Sequence, residues 1–277
     1  MFCLAFSACA TTEDPRFGTP RGHSDTGQLE DSGPTVDTAL SWAGPCPAGM
    51  IYVASTTVEL GEWDSEILAG YYPDEIISQF TVEVSPFCMD RFPFPGHPGS
   101  DWPIEGLALP QVEEIDLELQ GFGRRVCTIT ELLYAAAGPN NMRYPFDSED
   151  FLEGFCDPDD EHPEALGSYP DCSSILGFRD FQVRSTWGRL DTAMRTHIES
   201  YRLSELPGEG NYAVWGGTSR TNTFYAPSNF GFHTHGLDDD SFLDDGFRTC
   251  ADVGRGSHDL DAWIHWTETF QSHGRYT

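Results

Sequence analysis

The sequence contains no lysine, so its 15 basic side chains are all arginine, and 45 acidic side chains leave a formal charge of −30. A surface this negative repels phosphate groups, which excludes non-specific binding to nucleic acid and to anionic membrane surfaces. The charge is compatible with divalent cations, with basic partners, or with a role in solubility alone. The sequence also lacks a run of the ~20 apolar residues that a membrane-spanning helix needs. Composition therefore bounds the class of protein without naming a reaction.

Sequence motifs of several enzyme classes are missing as well. There is no G-x-S-x-G nucleophile elbow, no phosphate-binding loop and no dinucleotide-binding fingerprint. No Ser/His/Asp triad can be assembled from residues that are close in sequence. The hydrophobic content of 39%, with 13% aromatic residues, is nevertheless enough to bury a substantial core, which excludes a wholly disordered chain.

The N-terminus has the form of a bacterial lipoprotein signal. Residues 1–9, MFCLAFSAC, are apolar and end in Phe6-Ser7-Ala8-Cys9, a pattern in which the cysteine is lipidated and becomes the mature N-terminus. No basic residue precedes the apolar run, which fits a true start codon upstream of this one. The alternative is an apolar chain end that carries a cysteine by chance. We take residues 1–9 as a signal remnant and Cys9 as the lipidation site.

The next segment, residues 10–45, has few apolar side chains and is rich in Thr, Ser, Gly, Pro, Asp and Glu. Such a composition cannot offset the entropy of ordering the chain, and it predicts a disordered acidic and polar tether. A lipid anchor, a tether and a folded domain over residues 46–277 together predict an outer-membrane or cell-surface lipoprotein. Its contact with the membrane is then made by the lipid anchor alone.

The cysteines support an extracytoplasmic location. Two of the eight, Cys3 and Cys9, lie in the leader, and the remaining six include no C-x-x-C pair. An even set spread over the folded region predicts three disulfides formed in an oxidising compartment, and the sequence does not choose the pairing. The alternative is a set of reduced, buried thiols. The six disulfide candidates are Cys46, Cys88, Cys127, Cys156, Cys172 and Cys250.

Several segments have the patterns of short strands. Residues 48–63 predict two strands with a turn at Ser55-Thr56, and residues 79–91 alternate cleanly, with Phe80, Val82 and Val84 on one face. Residues 211–250 predict further short strands among many Gly, Asn, Asp and Ser residues.

Helical spacing of apolar residues occurs in residues 110–121, 186–201 and 259–272, the last with Leu260, Trp263, Ile264 and Phe270 predicted to face inward. Sparse secondary structure and long loops predict a loop-rich α+β domain.

The clearest local signal lies in residues 124–138, RRVCTITELLYAAAG. Thr128 and Glu131 have the spacing of a capping box at the start of a helix, in which each side chain bonds the backbone of the other residue. Gly138 followed by Pro139 marks the end of that helix. We therefore predict a short, buried helix between these signals.

These segments, in this order, resemble the formylglycine-generating (sulfatase-modifying-factor) domain, whose fold is C-type-lectin-like. The resemblance spans roughly residues 48–252 and implies the same loop-rich α+β fold here. The matching segments are FCMDR (87–91), GRRVCTITELLYAAAG (123–138) with YPFD (144–147), GFRDF (177–181), WGGT (215–218) and GFRTC (246–250).

The resemblance also carries an expectation about disulfides. The form RVCT, in which Cys127 pairs with a later cysteine such as Cys156, is similar to a variant frequent in secreted bacterial members. Cys127 and Cys156 both flank the helix-and-loop block, and Cys88 or Cys172 are the alternative partners.

Two departures from the family pattern bear on activity. The family's oxidase binds copper through two cysteines shortly after the WGGT-like segment, and residues 218–230 here contain none. Copper(I) needs soft thiolate ligands, which Thr, Asn and Ser cannot replace. The family's calcium segment corresponds to residues 182–188, where Arg184 stands at the position of a ligating Asn. The resemblance therefore implies the fold and argues against the oxidase reaction.

The densest group of possible metal ligands is His233-Thr234-His235 with the aspartates that follow. Alternating histidines in a strand share one face, and the aspartates supply hard oxygen ligands, so Ca²⁺ or a transition metal such as Zn²⁺ or Mn²⁺ is a candidate cofactor. The alternative is an exposed acidic loop beside two ordinary histidines. The candidate ligands are His233, His235, Asp238, Asp240 and Asp244.

Four tryptophans, Trp187, Trp215, Trp263 and Trp266, offer a carbohydrate platform or, as their spacing favours, core packing. We expect an extracytoplasmic lipoprotein domain that binds a protein or carbohydrate ligand, or has a structural role in the envelope, without catalysis. The alternative is a divergent metal-dependent oxidase using His233 and His235. A calcium-stabilised adhesion module is a third hypothesis.

Overall fold

In the computed structural model, the described residues all belong to the unit Trp42–Thr277. Cys9 and most of the predicted tether lie outside the described residues. None of the described helices is long and apolar enough to cross a membrane. The structure describes residues 45–62, 77–96, 104, 106–144, 165–168, 171–181, 186–201, 212–215, 246–255 and 259–272.

Short strands and four helices alternate along the described part of the chain, so the class is α+β, as predicted. The strands are β1 (Met50–Val53), β2 (Thr56–Leu60), β3 (Phe80–Val84), β4 (Phe87–Asp90), β5 (Arg125–Val126), β6 (Thr186–Arg189), β7 (Tyr212–Trp215), β8 (Gly246–Phe247) and β9 (Thr249–Asp252). The helices are α1 (Leu109–Leu119), α2 (Ile129–Ala137), α3 (Thr192–Tyr201) and α4 (Leu260–Ser272), and a 3₁₀ turn (Gln120–Phe122) follows α1.

Three small sheets organise these strands. The first has the order β1-β4-β9-β5 and is antiparallel throughout, with Cys250 of β9 opposite both Met89 and Arg125. The second is the antiparallel pair β2-β3, and the third has the order β7-β6-β8. The first sheet therefore brings together segments that are far apart in the sequence.

The β2-β3 hairpin confirms the predicted alternation. Val58 and Leu60 of β2 are buried together with Val82 and Val84 of β3, while the intervening Thr and Glu side chains are exposed. Successive side chains of a strand point to opposite faces, so one face packs on the core and the other meets solvent. Residues of β2 in this hairpin line one wall of the candidate site.

Helix α2 begins at the predicted capping box. The Glu131 amide donates to Thr128 Oγ1 at 3.2 Å, and the Thr128 amide donates to Glu131 Oε2 at 2.8 Å. Every residue of the helix is buried, and the helix ends at Gly138, whose φ of +68° lies in the left-handed region. The residue types of the 124–138 segment were therefore sufficient to place this helix.

Disulfides are present as predicted, but one proposed pairing is wrong. Cys127 pairs with Cys250, and Cys46 pairs with Cys88, so neither Cys156 nor the alternatives Cys88 and Cys172 is the partner of Cys127. The reason is the strand order, since the pairing of β5 with β9 brings the Cα atoms of Cys127 and Cys250 to 4.9 Å. Cys172 is also disulfide-bonded, to a partner outside the described residues.

The C-terminal helix α4 packs on the domain. Trp263 is 2% exposed and packs edge-on against Phe94, in a cluster that also contains Phe247 and Phe270. Trp187 is buried in the same cluster and donates from Nε1 to the Leu107 carbonyl at 2.8 Å. These tryptophans are therefore core residues. Leu260, which was predicted to face inward, is 37% exposed because it lies at the first turn of α4.

Candidate functional site

A buried ion pair joins three of the family-like segments. Arg124 Nη1 donates to both carboxylate oxygens of Asp90, at 2.9 and 2.8 Å, and Thr249 donates its hydroxyl to the same carboxylate. The Arg124 guanidinium also lies 3.9 Å above the ring of Trp263. Asp90, Arg124 and Thr249 are each at most 3% exposed. This centre holds the first sheet, α4 and the loop before β5 together and offers no surface to a ligand.

A second buried cation lies nearby. Arg248 donates to the Arg91 carbonyl at 2.9 Å and to the Arg179 carbonyl, and its guanidinium stacks 3.9 Å above Phe181. Burial lowers the pKa of Arg248 to about 9, which leaves it charged at neutral pH. Asp180 accepts from the Gly167 amide at 2.8 Å, and burial raises the pKa of its carboxyl. These contacts tie the GFRDF and GFRTC segments together.

One open concave surface among the described residues is a cleft of about 470 Å³ beside β2. One wall is the β2-β3 hairpin, and the other is the turn that follows α2. The polar groups of its lining include a hydroxyl, a carboxylate and amides. The lining residues are Thr57, Val58, Glu59, Gln79, Pro139, Asn140 and Asn141.

The turn wall is fixed by Asn141. Pro139 cannot continue α2, and Asn141 takes a φ of +51°, a left-handed conformation that asparagine tolerates better than most residues. The Asn141 side chain accepts from the Gly61 amide at 3.1 Å and donates to the Gly61 carbonyl at 2.8 Å. Gly61 has a φ of +95°, and a Cβ there would lie 2.6 Å from the Ser78 carbonyl oxygen. Glycine is therefore required at this position.

An ion pair braces the same wall. Arg143 donates from Nε and Nη2 to the two carboxylate oxygens of Glu62, at 3.2 and 3.0 Å. Glu62 is 1% exposed, so the two-point contact is shielded from water. Paired charge-assisted hydrogen bonds of this kind fix geometry as well as adding energy. Asn141 and Arg143 together clamp the turn to the end of β2.

The hairpin wall is braced from behind by α3. His197 Nε2 lies 2.8 Å from the Ser78 carbonyl oxygen, and the imidazole stacks on Phe80 with ring centroids 4.2 Å apart. Because a carbonyl accepts, Nε2 carries the proton in this contact. Burial lowers the pKa of His197 below its ordinary value.

The lowered pKa of His197 predicts a loss of stability in mild acid. As the pH falls, His197 of the unfolded chain is protonated near pH 6.5, before His197 of the folded chain. The stability that neutral His197 provides is therefore complete above that pH and declines below it. We expect the melting temperature to drop more between about pH 7.5 and about pH 5.5 in the native protein than in His197→Gln. That variant keeps an N–H donor and does not titrate. Equal drops in calorimetry would contradict the role of His197.

The described lining of the cleft is negative. Glu59 lies in the lining, Glu83 is exposed on the same hairpin face opposite Thr57, and no lining residue is basic. The described lining residues include no histidine or cysteine. Its chemistry is hydrogen bonding and attraction of positive charge.

One further group has the composition of a metal site. Cys127, Cys250 and Glu131 have ligand atoms within 4.8 Å of one another. The two sulfurs are bonded to each other, and Glu131 accepts from Arg125 at 2.7 and 2.8 Å while capping α2. The group is therefore a disulfide beside an ion pair.

The predicted metal ligands His233, His235, Asp238, Asp240 and Asp244 lie outside the described residues, as does Cys156. Calcium or a transition metal at that cluster stays a prediction. The contact between Asn141 and Gly61, in contrast, was not predicted from the sequence patterns. The Gly-Pro-Asn-Asn run after α2 signals a turn, but its partner lies 80 residues away.

Comparisons with known proteins bear on the fold. Neither a protein-family model nor a curated protein sequence matches this chain. Among solved structures, it is similar to PvdO from Pseudomonas aeruginosa, with a TM-score of 0.51 and 17% sequence identity over 76% of this chain and 95% of PvdO. Identity at this level shows a likeness of fold alone.

Proposed function

We propose that this chain is an extracytoplasmic lipoprotein with a domain of the formylglycine-generating, C-type-lectin-like type that binds a partner without catalysis. The main support for the proposal is that three of the family-like segments contact one another in the first sheet. FCMDR, GRRVC and GFRTC supply Asp90, Arg124 and Thr249 to a single buried centre. The likeness of fold to PvdO supports a related architecture over most of the chain.

The lack of cysteine ligands for copper supports a domain that does not catalyse the family's oxidase reaction. Residues 218–230 contain no cysteine at the positions where the resemblance implies copper ligands. The five cysteines in the described residues are all disulfide-bonded, so none of these offers a thiolate. The alternative, a divergent oxidase that uses His233 and His235, concerns residues outside the described part and stays a hypothesis.

The compartment is supported by the disulfides together with the leader. Disulfides form and persist in oxidising compartments such as the periplasm and the cell surface. The lipobox-like sequence ending in Cys9 and the polar segment over residues 10–45 fit an anchored protein there. The cleft beside β2, with its braced walls and negative lining, is the surface that we assign to partner binding.

Lipid labelling tests the anchor directly. With the gene at its native locus, we expect an alkyne-labelled fatty acid to mark the protein in wild type and in Cys3→Ser but not in Cys9→Ser. Cys3→Ser is a matched control because it makes the same substitution in the same apolar leader. Label retained in Cys9→Ser, or absent from wild type, would contradict the anchor. Turnover of a sulfatase-type cysteine peptide with copper and oxygen would contradict the absence of catalysis.

A further inference from the structure

The cleft lies along an edge of the β2-β3 hairpin. The ladder between these strands runs from Thr56 opposite Val84 to Leu60 opposite Phe80. Beyond it, Glu62 still faces the β3 side, since its amide donates to the Ile77 carbonyl at 2.8 Å and its carbonyl accepts from the Gln79 amide at 2.9 Å. Because the Gln79 amide donates to Glu62 and not to Gly61, Leu60 and Phe80 form a hydrogen-bonded pair, so Thr56, Val58 and Leu60 direct their backbone groups towards β3.

Odd-numbered residues of β2 point the other way. In an antiparallel pair, alternate residues direct their N–H and C=O groups towards the partner and away from it. Beyond the last ladder pair, the Gly61 amide and carbonyl are both bound by the Asn141 side chain and not by β3. By the same alternation, Thr57 and Glu59 present their backbone groups outward, into the cleft that they line.

Asn141 acts at Gly61 as a neighbouring strand would, with one acceptor and one donor. Within the described part of the chain, the next two outward positions have no such partner, apart from a long contact of 3.4 Å between the Thr56 hydroxyl and the Thr57 carbonyl. An open strand edge with fixed, unpaired backbone groups is a template for the addition of a strand. Asn141 then marks the end at which an added strand must stop.

Charge selects the occupant of this edge. Glu59 and Glu83 are exposed on the hairpin, and the whole chain has a net charge of −30. The chain's own segment 10–45 is a poor candidate, because its acidic residues outnumber its arginines. A segment rich in Lys or Arg is attracted to this face by the same field.

We propose that the β2 edge at Thr57 and Glu59 binds an extended, basic segment of a partner protein by strand addition. This inference rests on the proposed binding function and names its site and the chemistry of the partner. Hydrogen bonds to the backbone groups of Thr57 and Glu59 set the register of the added strand. The carboxylates of Glu59 and Glu83 provide the preference for a positively charged segment. Non-proline residues are required at the positions whose amides face β2, since proline has no N–H.

A peptide library tests the proposal on the full chain. The probes are fluorescent hexapeptides with lysine at alternate positions and varied apolar or polar residues between, measured by anisotropy. For the best binder, one of the two alternating patterns of backbone N-methylation should weaken binding by about tenfold or more, and the other should leave it within about twofold. Both patterns preserve charge, so attraction by charge alone predicts equal effects of the two and would overturn the proposal.

Protein variants locate the site. Thr57→Pro removes an outward N–H and leaves the bonds to β3, so it should weaken binding by about tenfold or more. Thr81→Pro is the matched control, because Thr81 lies opposite Glu59 and its amide faces the other side of the hairpin. Circular dichroism of both variants should match that of the native protein.

Measurements on the same variants also identify the results that would overturn the proposal. If no library peptide binds the native protein more tightly than it binds Thr57→Pro, the edge is not the site. If the native chain dimerises and Thr57→Pro is monomeric in sedimentation, the occupant is a second copy and the basic partner is wrong. Neither result alters the lipid labelling at Cys9, so failure at this edge is distinguishable from failure of the proposed anchor.

Discussion

Replacing both Cys127 and Cys250 with alanine is expected to lower the free energy of unfolding by about 2–5 kcal/mol. The disulfide closes a sequence separation of 123 residues and joins the start of α2 to β9. Its loss gives the unfolded chain more conformational freedom and removes buried sulfur atoms from the core. The melting temperature should fall on the order of 10 °C for a domain of this size. Urea and thermal unfolding under non-reducing conditions measure both quantities.

The second disulfide provides the control for this prediction. Cys46 and Cys88 close a separation of only 42 residues. The dependence of loop entropy on length predicts that removing this bridge costs about 1 kcal/mol less than removing Cys127–Cys250. If the shorter bridge proves to cost as much as the longer one, chain entropy is not the main reason for the stability that Cys127–Cys250 adds.

Asp90→Asn is expected to lower the free energy of unfolding by about 3–5 kcal/mol, because it leaves the Arg124 charge buried without a counter-ion. The two side chains are only 1% and 2% exposed, so water cannot replace the lost carboxylate. The surroundings are also tight, since a Cβ on Gly96 would lie 2.6 Å from the Asp90 carboxylate. Urea denaturation of the variant measures the loss.

An exposed ion pair in the same sheet is the matched control. Asp252 lies 3.4 Å from Arg125 and is 55% exposed. Surface pairs of this kind contribute about 0–1 kcal/mol, so Asp252→Asn should change stability little. The double variant Asp90→Asn with Arg124→Met should recover part of the loss, because it removes the unpaired charge as well. Equal costs for Asp90→Asn and Asp252→Asn would show that burial does not govern the Asp90–Arg124 pair.

Asp90→Asn is expected to leave peptide binding at the proposed edge unchanged. Asp90 and Arg124 lie in the first sheet, whereas Thr57 and Glu59 lie in the β2-β3 pair, and these are separate sheets of the described structure. A destabilised Asp90→Asn protein that is still folded at low temperature should bind the library peptides as the native protein does. The stability of the core and the chemistry of the edge can therefore be measured independently.

Local sequence patterns were enough to predict most of the described elements. The alternation of Phe80, Val82 and Val84 placed β3, and Thr128 with Glu131 placed the start of α2. Both signals depend on residues within four positions of each other, where helix and strand periodicity are set by backbone geometry. The absence of cysteine from residues 218–230 is equally a property of the sequence, and it bears on activity without any structure.

Contacts between distant segments depend on how the elements pack. Cys127 pairs with Cys250 rather than Cys156 because β5 lies next to β9, and Asn141 meets Gly61 across 80 residues because the turn after α2 packs on the end of β2. Such pairings depend on strand order and register, which no local period encodes. Local patterns in the sequence therefore identify the strands and helices, and the cysteine positions identify the residues that can form disulfides. Packing determined which of them meet, and with that the buried Asp90–Arg124 pair and the open edge of β2.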